Sequence, residues 1–323
     1  MNKRLLITKP IAQELEKFDT LYRSSISSQN PRIQEIIEYS FKSDGKKIRP
    51  TLLLLAAKAC GEINDTTYSA AITLELLHTA SLIHDDVVDE SMLRRGRPSM
   101  NAIYDNKVAV LAGDYFLSAA LIKSVMTQNF EIISEVSKLG RNLAEGELNQ
   151  LSLAKEIIID EDQYFEVIRK KTASLLSICM KVGVLSTGGS QSDINLFERI
   201  GEYFGICFQL RDDIFDYFSN DVGKPTGNDI KEGKVTLPLL YALKNVPAEN
   251  SAQMFDIIYK SDFSDENVEQ LIQFARSNGG VEYTYSKIDS YKTRAIELIE
   301  EVSNNSIRET LIDVLDFIID RKF

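Results

Sequence analysis

Apolar residues recur at three- and four-residue intervals along most of the chain, as in Val108, Leu111, Ala112, Tyr115, Phe116, Ala119 and Ala120. No stretch sustains the period-two alternation of a half-buried strand, so the pattern predicts an all-α protein with no segment that needs to be a strand. Proline placement agrees: only seven occur, and none lies between Pro98 and Pro225, which leaves a long interior free of the strongest helix breaker. Turn signals at Gly45, Gly61 to Asp65, Gly188-Gly189 and Gly279-Gly280 divide the chain into roughly ten or more helices. No linker rich in Ser, Gly or Pro separates two halves, and a single helical domain over 1–323, its helices stacked around a deep central cavity, is the simplest expectation. Tyr217 to Thr236 is the exception. It gathers Gly223, Pro225, Gly227 and Gly233 with Lys224, Lys231 and Lys234, and reads as a mobile loop and candidate lid.

Two predicted helices break the apolar pattern with aspartate. His84-Asp85-Asp86-Val87-Val88-Asp89 and Gln209-Leu210-Arg211-Asp212-Asp213-Ile214-Phe215-Asp216 share the spacing Asp-Asp-x-x-Asp. Aspartate is a poor helix former and is costly to bury unpaired. At about 3.6 residues per turn, positions i and i+4 share a face, so Asp85 projects with Asp89 and Asp212 with Asp216. Asp86 and Asp213 point about 100° away and suit contacts behind the ligand face or with solvent. Paired carboxylates of this kind select a hard cation, and magnesium (Mg2+), which bridges one or two carboxylates to substrate phosphates, is the expected ion.

The chain's net charge of −11 excludes the basic stripe of a nucleic-acid surface. It does not exclude anionic substrates, because bound metal and local lysines reverse the sign at a site. The three cysteines, Cys60, Cys179 and Cys207, have no CxxC spacing and are expected to be buried structural thiols of a reducing compartment. The N-terminus lacks a signal-peptide core, and no segment reads as the unbroken apolar run of a membrane span, so a cytoplasmic protein is expected.

Four cationic clusters accompany the aspartates: Lys46, Lys47 and Arg49 in Gly45-Lys46-Lys47-Ile48-Arg49-Pro50 at a predicted helix start; Arg94 and Arg95; Lys170 and Lys171 before Thr172; and the lysines of the candidate lid. They suffice for two diphosphates, one on metal and one on side chains alone. Only two histidines are present, and the motifs of a nucleophilic hydrolase, zinc protease, P-loop or dinucleotide site are missing. Ionisation of a diphosphate ester by metal-assisted departure of pyrophosphate needs no protein nucleophile, only Lewis acids and fixed charge.

Taken together, these segments resemble the trans-isoprenyl diphosphate synthases, or polyprenyl synthetases, from about residue 20 onward. The resemblance rests on Gly45 to Pro50, Leu82 to Asp89 with Arg94-Arg95-Gly96, Gly113-Asp114-Tyr115, Lys171-Thr172-Ala173, Gln209 to Asp213, and Gly223-Lys224 through Gly233-Lys234 to Pro238. Asp44 departs from it, standing where many relatives carry a second glycine. The resemblance implies an isoprenoid-synthase helical fold and a prenyltransferase that condenses an allylic diphosphate with successive isopentenyl diphosphates, as a homodimer. It implies that Asp85, Asp89 and Asp212 hold magnesium, with Asp216 supporting. Arg94, Lys171 and Lys224 would neutralise the leaving diphosphate, assisted by Lys234, and Lys46, Arg49, His78 and Arg95 would hold isopentenyl diphosphate. Thr172 and Gln209 would present oxygens to the allylic cation, and released pyrophosphate would take the final proton. His84 is read equally as a packed residue and a functional one, Gly113-Asp114-Tyr115 as a structural turn of the next helix rather than a ligand, and Glu145-Gly146-Glu147 as a solvated face.

Product length would be set by what blocks the growing chain below the metal. Ser81, Ala80 and Leu77 precede Asp85 on its helix; in short-chain relatives bulky aromatics stand at the first two of these positions, and here both are small. The expected product is therefore long, roughly seven to nine isoprene units for a quinone side chain, with Phe116, Ala119 and Ala120 as a candidate floor. The alternatives are a geranylgeranyl or farnesyl diphosphate synthase and a non-catalytic partner subunit of a heteromeric synthase.

Overall fold

The computed structural model describes residues 7–42, 45–94, 96–153, 160–218 and 227–320. In chain order its helices are α1 (Ala12–Ser24), α2 (Pro31–Phe41), α3 (Ile48–Cys60), α4 (Asp65–Val88), α5 (Met100–Tyr104) and α6 (Asn106–Met126). There follow α7 (Phe130–Leu153), α8 (Glu161–Ile168), α9 (Ser174–Ser186), α10 (Gln191–Phe215) and α11 (Asn228–Lys231). The last are α12 (Leu237–Asn245), α13 (Ala248–Tyr259), α14 (Asp265–Ser277), α15 (Gly280–Glu300) and α16 (Asn305–Ile319). The all-α expectation holds, with one difference: Leu93–Arg94 and Arg97–Pro98 pair as a short antiparallel hairpin, turning at Gly96 with φ of 72°. Its strands, two residues each, are too short for hydrophobic alternation to announce them.

The chain forms two compact units, each assembled from three segments. The first contains 1–141, 176–201 and 302–311. Its core is α3, where Leu52 to Ala57 are all fully buried, and α4, which packs along α6 and against α1 and α3. Helix α4 begins at a capping box in which Asn64 accepts from the Thr67 amide while the Thr67 hydroxyl accepts from the Asn64 amide, so its first turn is satisfied internally. Phe18, Tyr22, Phe41 and Phe116 make a chain of ring contacts with centroids 5.1–6.4 Å apart.

Helix α6 differs from the sequence expectation. It is long and apolar enough to cross a membrane by length and composition, with 33% of its most apolar stretch buried. Gly113, Asp114 and Ser118 interrupt the run without removing its apolar average, which is why no unbroken span was expected. Val110, Leu111, Leu121, Ile122, Val125 and Met126 are exposed on it.

The second unit contains 142–175, 202–301 and 312–323. Helix α12 packs on α14 and α15, and Tyr241 stacks on Tyr283 at 4.0 Å. Between α8 and α9 the backbone widens into a π turn at Arg169–Ala173. Within the stretch expected to be a loop, Asn228–Lys231 forms the single helical turn α11. Residues 219–226, including Lys224 of the candidate lid, lie outside the described residues, as do Asp44 and Arg95.

Candidate active site

The first aspartate motif ends α4. Asp85 is half-buried and Asp89 is the exposed C-terminal cap, while Asp86 turns inward and is 4% exposed. Arg94 reaches back from the hairpin to Asp86, its Nε donating to Oδ1 at 2.7 Å with a second contact from the guanidinium. Burial raises the Asp86 carboxyl above its usual range, and the bond and charge of Arg94 offset part of that rise. Arg94, expected beside a leaving diphosphate, is therefore engaged by the motif itself. The Asn101 amide holds the Asp86 carbonyl at 3.2 Å.

A cavity of about 120 Å³ beside this helix is lined by Tyr22, Lys47, Glu75, His78, Asp86 and Arg94 among others. It brings His78 and Arg94 together. Lys46 is exposed in the loop before α3, Arg49 occupies the first turn of α3 as the sequence implied, and Lys47 is tied to Asp19. His84 resolves toward packing: its Nε2 lies 3.2 Å from the Val110 carbonyl and 3.4 Å from Asp114, and its ring fills the space that a Cβ at Gly113 would occupy. Gly113 is structural, as expected of a turn of this helix. It sits inside α6 and lets the α4 histidine approach. Of the product-length candidates, Leu77 and Ala80 are buried and Ser81 is half-buried, its hydroxyl donating to the His78 carbonyl at 2.9 Å; Phe116 is fully buried.

The second motif ends α10 in a different setting. Asp212 is half-buried. Asp213 is 1% exposed and accepts from the Tyr164 hydroxyl and, at 2.7 Å, from Gln209 Nε2. Asp216 accepts the backbone N–H of Asn228 at 2.9 Å and of Asp229 at 3.0 Å, and so caps α11. Burial pushes Asp213 up to about 7, with the Asp229 charge second; the same two causes, in that order, push Asp216 up to about 6. Asp229 was not anticipated, since it lay in the segment read as lid.

Lys171 and Thr172 lie on the π turn, a distortion frequent at functional sites because it re-aims side chains. A Cβ at Gly205 would overlap the Ala173 backbone, so this glycine of α10 permits the close approach. Thr172 donates to Gln209 Oε1 at 2.7 Å. Lys171 pairs with Glu147 at 2.6 Å, and Gly146 packs within 3.7 Å of the Lys171 backbone. Glu147, expected on a solvated face, is instead a half-buried partner of the site lysine. Lys234 pairs with Asp229 and Glu232. The three cysteines are free, and burial raises each to about 12, so they are unreactive packing thiols.

The donor set fits a hard divalent ion. In each motif the middle aspartate is withdrawn into its own unit, leaving at most two carboxylates of that motif for a cation. Among the described residues no group of three or more His, Cys, Asp or Glu could hold a metal ion. One or two carboxylates completed by water and substrate phosphate is a mode open to a hard divalent ion.

A family model described as polyprenyl synthetase matches residues 30–275. The chain is 34% identical to the all-trans-nonaprenyl-diphosphate synthase (geranyl-diphosphate specific) of Rhodobacter capsulatus, over 98% of this chain and 97% of that one. Among solved structures it is similar to a geranylgeranyl pyrophosphate synthase from Bacteroides thetaiotaomicron, at 41% identity and TM-score 0.87 over 99% of this chain and 100% of that one. It is also similar to a decaprenyl diphosphate synthase from Rhodobacter capsulatus, at 33% identity and TM-score 0.92 over 98% of each chain.

Proposed function

Because this chain belongs to the polyprenyl synthetase family, we propose that its aspartates, lysines and arginines serve the condensation of an allylic diphosphate with successive isopentenyl diphosphates to a long all-trans polyprenyl diphosphate. It is a trans-prenyltransferase. The observation that carries the reading is the retention of both Asp-Asp-x-x-Asp motifs, with Lys171 and Thr172 on their π turn, in a chain alike over its whole length to such synthases. The same full-length likeness supports reading 1–323 as a single catalytic domain.

Asp85, Asp89 and Asp212 would hold magnesium, and Asp216 would support them. Bound there, the ion supplies Lewis-acid charge for departure of pyrophosphate. Lys171, Arg94, Lys224 and Lys234 add fixed positive charge around the leaving group, while Lys46, Arg49, His78 and Arg95 orient isopentenyl diphosphate. Thr172 and Gln209 offer oxygen lone pairs to the carbon that becomes cationic. No protein base is needed, since the departing diphosphate can take the proton.

The small side chains of Ala80 and Ser81 support a long product, and the buried Phe116 supports a floor on α6. The exposed apolar residues of α6 support a homodimer in which a second copy covers that face. The cytoplasm is the proposed compartment.

Product chromatography after incubation with farnesyl diphosphate, isopentenyl diphosphate and magnesium tests the reading. A polyprenyl product of roughly seven to nine isoprene units is expected. A dominant product of geranylgeranyl length or shorter sinks the long-chain assignment. No turnover with any allylic starter sinks the enzyme reading in favour of a partner subunit. Ala80→Phe should shorten the product.

A further inference from the structure

The second motif carries a hydrogen-bond relay whose direction matters more than its strength. Thr172 gives its proton to Gln209 Oε1 at 2.7 Å, Gln209 Nε2 gives one to Asp213 Oδ1 at 2.7 Å, and the Tyr164 hydroxyl gives its own to Asp213 Oδ2. Both Asp213 oxygens accept here, Oδ1 from Gln209 Nε2 and Oδ2 from the Tyr164 hydroxyl. Asp213 therefore requires the nitrogen end of the Gln209 amide to face it, which turns the oxygen end toward Thr172. Thr172 must then donate to Gln209, and its own lone pairs remain on the other side. Were the amide reversed, Thr172 would accept from Nε2 and point its hydrogen outward, the wrong polarity beside a developing carbocation.

Chain geometry shows why these four residues meet. Gln209 and Asp213 are at i and i+4 on one face of α10. Tyr164 and Thr172 are eight apart, and at about 100° per residue an α-helix would leave them about 80° out of line. The π turn at Arg169–Ala173 advances less per residue and returns Thr172 to the Tyr164 side. Gly205 lets that widened backbone lie close against α10. Two side chains of one helix thus meet two of the other, with the nearly inaccessible Asp213 at the junction.

We propose that Tyr164 and Asp213 are positioning residues for the condensation: together they lock the Gln209 amide so that Thr172 and Gln209 present lone pairs, not hydrogens, to the allylic cation. The assignment rests on the prenyltransferase reading above and adds to it that Asp213 serves this relay rather than the metal. Tyr164 supplies the second proton, which holds the carboxylate in place and keeps both of its oxygens accepting.

The test is a double-mutant cycle of Tyr164→Phe and Gln209→Leu, read as kcat, KM for each diphosphate, and the fraction of allylic starter lost to hydrolysis. Tyr164→Phe should lower kcat about tenfold, leave both KM values within about threefold, and raise the hydrolysed fraction. The double variant should be no slower than Gln209→Leu, because Tyr164 acts through that amide. A folded Tyr164→Phe with wild-type kcat and hydrolysis overturns the proposal, as do two losses that multiply. Should Tyr164→Phe fail to fold, Asp213→Asn, equal in shape, replaces it in the cycle. Its kcat should fall with the half-saturating magnesium concentration unchanged, and a raised magnesium requirement instead overturns the proposal by showing that Asp213 serves the metal. Wild-type protein that extends no allylic starter overturns the underlying reading, and the relay with it; wild-type extension with an unaffected Tyr164 variant overturns the relay alone.

Discussion

Two acidic side chains in each unit are held in opposite ways. In the first, the partners are cations: Asp86 meets Arg94, and Glu135, 8% exposed, meets Lys138 at 2.7 Å and Lys181 at 3.0 Å. In the second, the partners are neutral: Asp213 meets a phenol and an amide, and Asp216 meets backbone N–H groups. At Asp86 burial outweighs Arg94 and the carboxyl lies above its usual range, but the other three show the consequence in their acidities. Burial opposes ionisation of Glu135, yet its lysines hold the carboxyl below the usual range, whereas Asp213 and Asp216, raised by burial and then by the Asp229 charge, reach about 7 and about 6. One spacing, Asp-Asp-x-x-Asp, thus serves two electrostatic designs. At Glu135 charge pairing keeps a buried acid ionised, while the neutral donors at Asp213 and Asp216 are oriented by the carboxylate without offsetting the cost of its burial.

The largest expected effect treats the two motifs alike. Asp85→Ala and Asp212→Ala should each lower kcat by roughly 10²–10³-fold, the scale of losing one electrostatic stabiliser of the transition state. Steady-state turnover at saturating magnesium measures it. A loss at Asp212 with none at Asp85 would break the equivalence of the first positions.

The next effect separates the units. A Cβ at Gly205 would strike the Ala173 backbone, which has no room to yield, whereas one at Gly113 would strike the His84 ring, which can rotate. Gly205→Ala should therefore destabilise by about 3 kcal/mol and Gly113→Ala by about 1 kcal/mol, measured by urea denaturation. Equal costs would show that the π turn is not held by that close approach.

Arg94→Met probes the charge pairing itself. It leaves the Asp86 carboxylate buried without its cation, but Arg94 is 36% exposed, so water screens part of the pair and the cost should be about 1–2 kcal/mol. Adding Asp86→Asn should recover most of that loss in the same denaturation assay, because the stranded charge is gone. No recovery would mean that Arg94 stabilises the hairpin through other contacts.

The helical class, the start of α3 before Arg49, and the withdrawal of Asp86 and Asp213 from the ligand face were legible because each depends on local spacing. The partners of those two aspartates were not. Tyr164 reaches Asp213 only because a π turn shifts the register of its helix, and a five-residue widening leaves no hydrophobic signature. Glu147 looked solvated because its partner, Lys171, comes from a separate segment. Asp229 was hidden in a stretch whose glycines and lysines suggested a loop, and only the capping bond from Asp216 shows that part of it is helical. The exposed face of α6 was missed for the opposite reason. Its apolar residues fit the helical period, and periodicity alone does not say whether a stripe faces a core or is left uncovered.

The smallest effect concerns pH and the first unit's cations. Glu135 has a folded pKa below its unfolded value, so its pairing contributes stability above the unfolded pKa of about 4.3 and loses it as pH falls through the lower folded value. Glu135→Gln should cost about 1–2 kcal/mol near neutrality, the scale of a hydrogen bond to a charged group, and the difference from wild type should shrink toward zero as the medium is acidified. Thermal unfolding across that range measures it. A difference that persists at low pH would mean that Glu135 acts through packing and the neutral amide's lost fit, and the first unit would then rely on charge pairing only at Asp86.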